Sequence, residues 1–181
     1  VMSVVLMSYN VQAKNQVSHI EKPNVIIFYV DDTGERGFVV ATVDVNGGYQ
    51  GFINENECYS LTHDFNILDE NSPQLGSGLQ NSIDIATFCG QSGASLALEF
   101  ESQGYSDWYL PSLDELMEIF ISIPQYFIVY GGDTRFLSSS IQEIQITENW
   151  WFIDSYRVTS EGDIIWGDAD EKGYIRPIRS F

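Results

Sequence analysis

The amino-acid sequence predicts an α+β fold, in which a β-hairpin is followed by helices and then by several strands. Three observations predict this order: two β-branched runs around an Asp/Gly-rich turn, a Ser-x-x-Glu motif that opens an amphipathic stretch, and alternating aromatic segments near the end. The 181 residues fit one domain that is large enough to bury a core.

Residues 1–13 have the character of the second half of a secretory signal peptide that lacks its basic start. A short apolar run leads to Val11-Gln12-Ala13, which resembles a cleavage site. The run is too short to span a bilayer. We therefore expect export, with residues 14–24 as a linker. The alternative is an N-terminal strand, or a tail that packs in an oligomer.

The first expected element is a hairpin. Val25–Val30 and Phe38–Val43 are β-branched runs, and residues 31–37 between them have the composition of a turn. The acidic tip could bind a cation, but Asp/Gly turns are more often only turns. Residues 44–77 read as loops, and a long irregular stretch in a compact domain suggests a surface function.

A helix is expected next, over residues 79–103. Apolar residues recur there at helical spacing, and Gly90 and Gly93 interrupt them, so this helix is expected to break near the glycines. Gly104 stands where a helix C-cap would close it.

The second helix has a clear start signal. Pro111 restricts the residue before it to an extended conformation, and Ser112 with Glu115 forms a capping box. The apolar face that follows runs until Pro124, where the helix should end. The aromatic pair Trp108-Tyr109 is expected to pack beneath this helix.

Strands are expected from Arg135 onward, over residues 136–140, 150–158, 164–166 and 174–181. Residues 160–163 form a turn between two of them. Pro177 places the last strand at a sheet edge or a bulge.

The charge of the chain excludes some partners. It carries 26 acidic and 8 basic residues, a net charge of -18. Such a surface repels phosphate backbones and sulfated polysaccharides, which argues against nucleic acid as a partner. Solubility alone can also explain the acidity.

The two cysteines, Cys58 and Cys89, are too few for a disulfide-built scaffold, although they could pair in an oxidising compartment. The only histidines are His19 and His63, and no Cys/His spacing is of the metal type, so a zinc site is not expected.

Four segments, in this order, carry a resemblance to a known family: residues 26–34 with Gly37, residues 104–116, the serine run 138–140 and the closing residues 175–181. They resemble the Lcl C-terminal domain family, which is named for a domain of a bacterial collagen-like adhesin and is a domain of unknown function. The resemblance spans residues 25–181 as a single domain.

The resemblance implies a C-type-lectin-like fold, with two helices packed on a small twisted antiparallel sheet, long loops and neighbouring termini. It also implies an exported bacterial protein that is secreted, periplasmic or on the cell surface. The chain departs from the family at Phe136-Leu137, where a Trp usually precedes the serine run. The binding of sulfated glycans by the namesake adhesin is not carried over, because the charge here has the wrong sign.

In lectin-like folds the ligand surface is built from the segments between the later strands, here residues 142–173. Aromatic rings can pack on the apolar face of a sugar, and carboxylates can accept hydrogen bonds from its hydroxyls. The alternative is that half of the aromatic residues are core, because strand alternation buries every second side chain. The candidate ligand-binding residues are Trp150, Trp151, Asp154, Tyr156, Trp166, Asp168, Asp170 and Tyr174.

No cofactor is predicted, although the acidic stretch from Asp168 to Gly173 begins like a calcium loop. The EF-hand pattern fails, because Lys172 and Arg179 stand at ligand positions. A lectin-type calcium site is an alternative, and its ligands would be Glu148, Asn149, Asp168 and Asp170.

Arg176 and Arg179 flank the last strand of a very acidic chain. We expect them to pair with carboxylates such as Asp107 or Asp114, and so to hold this strand against the capped helix.

These observations predict a non-enzymatic, adhesin-like binding module that takes a glycan or a protein as its ligand. The alternative is a structural subunit of a cell-surface assembly, which could form a homo-oligomer. A glycoside hydrolase with a carboxylate pair ranks third. The sequence contains no nucleophile elbow, P-loop or dinucleotide fingerprint.

Overall fold

The computed structural model of the chain describes residues 25–45, 49–51, 72–126, 134–147, 150–168 and 172–181. These residues form three α-helices and two small, mostly antiparallel sheets, which confirms the α+β prediction. The predicted signal-peptide remnant (residues 1–13) and linker (residues 14–24) lie outside the described residues.

The helices are α1 (Gly78–Cys89), α2 (Gly93–Leu98) and α3 (Leu113–Ser122), with a 3-10 turn at Pro124–Tyr126. The strands are β1 (Val25–Val30), β2 (Gly37–Ala41), β3 (Tyr49–Gly51), β4 (Arg135–Thr147), β5 (Trp150–Thr159), β6 (Ile164–Asp168), β7 (Lys172–Tyr174) and β8 (Ile178–Ser180).

The first sheet joins the two ends of the domain, in the order β1-β2-β8. The predicted hairpin is confirmed, since β1 and β2 pair in antiparallel fashion. Its acidic tip is a hydrogen-bonded turn, in which the Asp31 carboxylate accepts from the backbone N–H groups of Thr33 and Gly34. Strand β8 pairs with β2 on the other side, where Phe38 lies opposite Ser180.

The second sheet has the order β3-β7-β4-β5-β6, and β4 and β7 are its one parallel pair. Strand β3 lies in a region predicted as loop. Its three residues pair with β7, and such a short strand leaves no periodic pattern in the sequence.

Strand β4 is much longer than the predicted segment 136–140. The serine run lies inside it, where the register with β5 shifts between Leu137 and Ile141. The serines bond to neighbouring segments there: the Ser139 N–H donates to the Pro111 carbonyl at 2.6 Å, and the Ser138 hydroxyl donates to the Tyr156 carbonyl at 2.7 Å. The sequence prediction ended this strand at Ser140, seven residues too early, because polar, non-alternating residues interrupt its pattern.

The first predicted helix is broken near its glycines, as expected. Helix α1 ends at Cys89, and Ser92 then caps α2 through a capping box with Ser95. The prediction that Gly104 closes this helix is wrong. Helix α2 ends at Leu98, and Gly104, with φ +81°, serves the separate turn in which Ser102 and Tyr105 exchange backbone hydrogen bonds.

The capping box that starts α3 is confirmed. The Ser112 hydroxyl accepts from the Glu115 N–H at 3.3 Å, and the Glu115 carboxylate accepts from the Ser112 N–H at 2.7 Å. The helix ends at Ser122, directly before the turn that Pro124 begins.

Cys89, at the end of α1, is buried and disulfide-bonded. Cys58, the other cysteine of the sequence, lies outside the described residues.

The core lies on both faces of β4. Leu137 belongs to a cluster with α1 and α2, and Phe136 belongs to a cluster with α3 and the first sheet. Tyr109 is buried in the α3 cluster, as expected. Trp108 is also fully buried, but in a third cluster with Val39 and Ala41 of β2, because the two residues are consecutive and point to opposite sides.

Two arginines hold the last strand. Arg179 binds Asp107 with two hydrogen bonds, at 2.6 and 2.7 Å, which confirms one of the two expected partners. Arg176 binds Asp44 at 2.6 Å instead, in a buried pair. Asp114, the other expected partner, is exposed at the start of α3.

Candidate functional site

The structure describes the predicted ligand-binding residues to different extents. It describes the side chains of Tyr156, Trp166 and Tyr174. It places Trp150, Trp151 and Asp154 in β5 and Asp168 in β6, while their side chains lie outside the described residues. Asp170 lies outside them altogether, as do Glu148 and Asn149 of the calcium hypothesis, which therefore stays a hypothesis.

The β5–β6 hairpin brings several of the predicted residues together. In its antiparallel register Tyr156 lies opposite Trp166, and Asp154 lies opposite Asp168. Positions two apart on a strand share a face of the sheet. Two predicted aromatic residues and two predicted acidic residues therefore occupy adjacent cross-strand positions.

Trp166 is a surface residue. Its exposed fraction is 66%, and that of Ile164, two positions earlier on β6, is 49%. Tyr156 is half-buried and packs against the α3 cluster, whereas Val158 further along β5 is completely buried in it. The helix therefore covers one end of this sheet face and leaves Ile164 and Trp166 in contact with solvent.

Tyr174 lies elsewhere. It is half-buried on β7 and packs against the Phe136 ring, with 5.9 Å between the ring centroids. Strands β4 and β5 separate β7 from β6. The structure therefore does not bring Tyr174 next to Trp166.

The turn of the hairpin is well defined. The Thr159 N–H donates to the Asp163 carbonyl at 2.9 Å, and the Gly162 N–H donates to the Thr159 carbonyl at 3.0 Å. Gly162 has φ +90°, and a side chain there would collide with the Phe120 ring of α3. Only glycine suits this position, and the contact anchors the turn on the helix.

Arg157 anchors the other face of the hairpin, a role that the sequence analysis did not identify. The side chain is buried, and its Nη2 donates to the Gly167 carbonyl of β6 at 2.9 Å and to the Ser155 hydroxyl at 3.2 Å. A charged residue in a strand pattern is normally taken as solvent-facing, so the alternation of β5 did not indicate that Arg157 is buried.

One carboxylate with a raised pKa, that of Glu115, is committed to the core and not to this hairpin. Burial raises the pKa of Glu115. Its oxygens accept from the N–H groups of Ser112 and Gly76 and from the Tyr109 hydroxyl. Among the described residues, no group of three or more His, Cys, Asp or Glu side chains could hold a metal ion.

No protein-family model matches the sequence, and no curated protein matches it. In the part of the chain that the structure describes, no helix is long and apolar enough to cross a bilayer. The fold and the hairpin define an α+β domain that displays apolar and aromatic side chains on an outer strand.

Proposed function

We propose that the chain is a non-enzymatic, exported bacterial binding module with a C-type-lectin-like fold, and that it engages a glycan or a protein through the β5–β6 hairpin. Trp166 carries this proposal. An indole that is 66% exposed on a regular, anchored strand is unusual for a residue that proteins mostly bury, and exposed aromatic side chains are typical of binding surfaces.

The positions of the first and last described strands support the fold assignment. The resemblance to the Lcl C-terminal domain family implies termini that lie close together, and β1 and β8 are both neighbours of β2. The capped helix α3 and the strand β8, which carry the two most specific motifs, belong to one hydrophobic cluster.

The disulfide supports export. Disulfides persist in oxidising compartments and are rare in the cytosol, and Cys89 is disulfide-bonded. The apolar residues 1–13 point the same way.

The test is binding of the labelled full chain to glycan and extracellular-protein arrays, with and without calcium. We expect selective binding that falls by about tenfold or more in Trp166→Ala, because one buried aromatic contact is worth more than 1 kcal/mol. Leu79→Ala, which removes an exposed apolar side chain on α1, is the matched control and should bind as the wild type does. Equal binding by wild type and Trp166→Ala would contradict the proposal.

A structural subunit of a surface assembly is the second candidate, and the exposed pair Ile164 and Trp166 favours it, since apolar surface on an outer strand also suits contact between subunits. Light scattering of the chain with and without residues 1–23 separates the two candidates. An oligomer that Trp166→Ala dissociates supports the assembly role, and a monomer in every case supports the binding module.

A further inference from the structure

We infer that β6 is a site of strand addition, where an extended, cationic segment of a partner polypeptide pairs with its open edge. This inference rests on the proposed function, because it names the class of ligand that the β5–β6 hairpin takes.

The hydrogen-bond pattern of the hairpin decides which backbone groups of β6 are open. The Thr159 N–H donates to Asp163, and hydrogen-bonded pairs alternate with non-hydrogen-bonded pairs along an antiparallel ladder. Because the register to β5 runs without a shift, the pairs Val158–Ile164 and Tyr156–Trp166 are of the non-hydrogen-bonded kind. The backbone N–H and C=O groups of Ile164 and Trp166 therefore point away from β5.

Those backbone groups have no strand beside them in the part of the chain that the structure describes. Among the described strands, β6 pairs with β5 alone. The residues whose backbone groups face outward are also the two most exposed among the side chains of β6 that the structure describes, Ile164 to Gly167. Ile164 and Trp166 therefore offer everything that a pairing strand would use: backbone donors, backbone acceptors and apolar side chains.

The other sheet edges in the described part of the chain are protected, whereas β6 is not. Strand β3 has three residues, and β1 contains a shift in register between Ile27 and Tyr29. Strand β8 is also short, and the backbone of Tyr109 exchanges two hydrogen bonds with Ile178 at its outer side. Strand β6 has five residues, a regular register and neither Lys nor Pro. Natural proteins usually blunt such an edge, so an open one indicates use.

The charge around β6 selects a basic partner. The exposed side chains Glu161 and Asp163 lie in the turn that leads into β6. The one basic residue of β5, Arg157, is buried and turned to the Gly167 carbonyl. With a net charge of -18, a second copy of the chain would bring like charges together at this edge, and a cationic segment would not.

The probe is a fluorescein-labelled octapeptide of alternating Lys and Val, titrated with the full chain and followed by anisotropy. We expect saturable binding that weakens by about tenfold between low and high salt, because screening removes the attraction of exposed charges. The peptide with Glu in place of Lys should bind about tenfold more weakly or not at all. The Lys/Val peptide methylated at every backbone nitrogen keeps its charge and side chains but cannot donate, and should not bind.

Two substitutions at one position test the backbone of β6. Ile164→Pro removes an outward N–H, at a strand start where proline is tolerated, and Ile164→Ala removes the same side chain while keeping the donor. We expect a clearly larger loss of peptide binding in Ile164→Pro. Thermal unfolding of both variants checks the fold, and the methylated peptide tests the same point on the wild-type chain.

Equal binding of the methylated and unmethylated peptides overturns the inference, as does equal loss in the two Ile164 variants. A chain that retains glycans through Trp166 but binds no Lys/Val peptide also overturns it, while the proposed function stands. If no glycan, protein or peptide ligand depends on Trp166, the proposed function fails as well.

Light scattering tests whether a second copy of the chain is the occupant. A dimer that Ile164→Pro dissociates would show that it is, and would overturn the choice of a basic partner.

Discussion

At the scale of single residues, Glu115 joins three parts of the molecule. It caps its own helix through the Ser112 N–H, binds the Gly76 N–H in the segment before α1, and accepts from the Tyr109 hydroxyl. The carboxylate is completely buried, and this burial raises its pKa. A buried carboxylate with a raised pKa makes the stability of the domain depend on pH.

The folded protein holds the Glu115 proton more tightly than the unfolded chain does. Its contribution to the free energy of unfolding is therefore fully present below the ordinary pKa of 4.5, and is lost as the pH rises through the raised value of the folded state. Compared with Glu115→Gln, the wild type should therefore lose stability as the pH rises from 4.5 towards neutrality.

Urea unfolding of both proteins across this pH range measures the effect. Asp114→Asn, which removes an exposed carboxylate one position earlier, is the control and should follow the wild type. A difference between wild type and Glu115→Gln that stays constant with pH would show that Glu115 does not titrate in this range.

At the scale of elements, β8 is held through two ion pairs that differ in burial. The Arg176 and Asp44 side chains are 3% and 1% exposed. The Asp107 side chain is 57% exposed, and the hydrogen bond from Arg179 lowers the pKa of that carboxyl. Arg179 also lies over the Tyr105 ring, at 4.1 Å from its centroid. Water can replace the partner of Asp107 but not that of Asp44.

Removal of each arginine should therefore have a different cost. Arg176→Met removes the cationic partner of a buried carboxylate and should lower the free energy of unfolding by about 3–5 kcal/mol. Arg179→Met should lower the free energy of unfolding by about 0–1 kcal/mol, because the Asp107 carboxylate returns to water. Denaturant unfolding at neutral pH measures both.

A second substitution separates the charge from the packing. Asp44→Asn combined with Arg176→Met removes both charges and should recover part of the loss. Equal costs for the two single variants would mean that burial does not distinguish these pairs.

At the scale of the whole molecule, the two sheets and three helices of the described residues enclose the core, and a disulfide at Cys89 adds a covalent constraint at the end of α1. A cross-link of this kind stabilises a small domain mainly by restricting the unfolded chain.

Reduction should consequently lower the free energy of unfolding by about 2–4 kcal/mol. Thermal unfolding with and without a phosphine reductant measures this loss, and a variant with serine at both cysteine positions should show no response to the reductant. Alkylation under denaturing, non-reducing conditions should leave the mass of the wild type unchanged. A mass increase before reduction contradicts the prediction.

Local signals in the sequence were sufficient for the elements that depend on neighbouring residues. The Ser112–Glu115 capping box and the first hairpin are stabilised by contacts within a few residues, so their sequence patterns predict them directly. That Arg179 pairs with a carboxylate was also predictable, because a basic residue near the core of an acidic chain needs a counter-charge; the partner is Asp107.

Long-range contacts decided the rest. The serine run continues a strand because its hydroxyl and N–H groups bond to segments far away in sequence, and Arg157 is buried because the Gly167 carbonyl on the next strand accepts from it. Strand alternation places Val158, Tyr156 and Trp166 on one face of the sheet but does not tell how far that face is covered.

By itself, the sequence determined the class of fold, the capping box of α3, and the hairpin in which the candidate site lies. Only the tertiary structure decided that Trp166 and Ile164 are surface residues on a strand that pairs with β5 alone among the described strands. The physical reason is that the length and position of α3, which belongs to a different part of the chain, set where the cover over β5 and β6 ends.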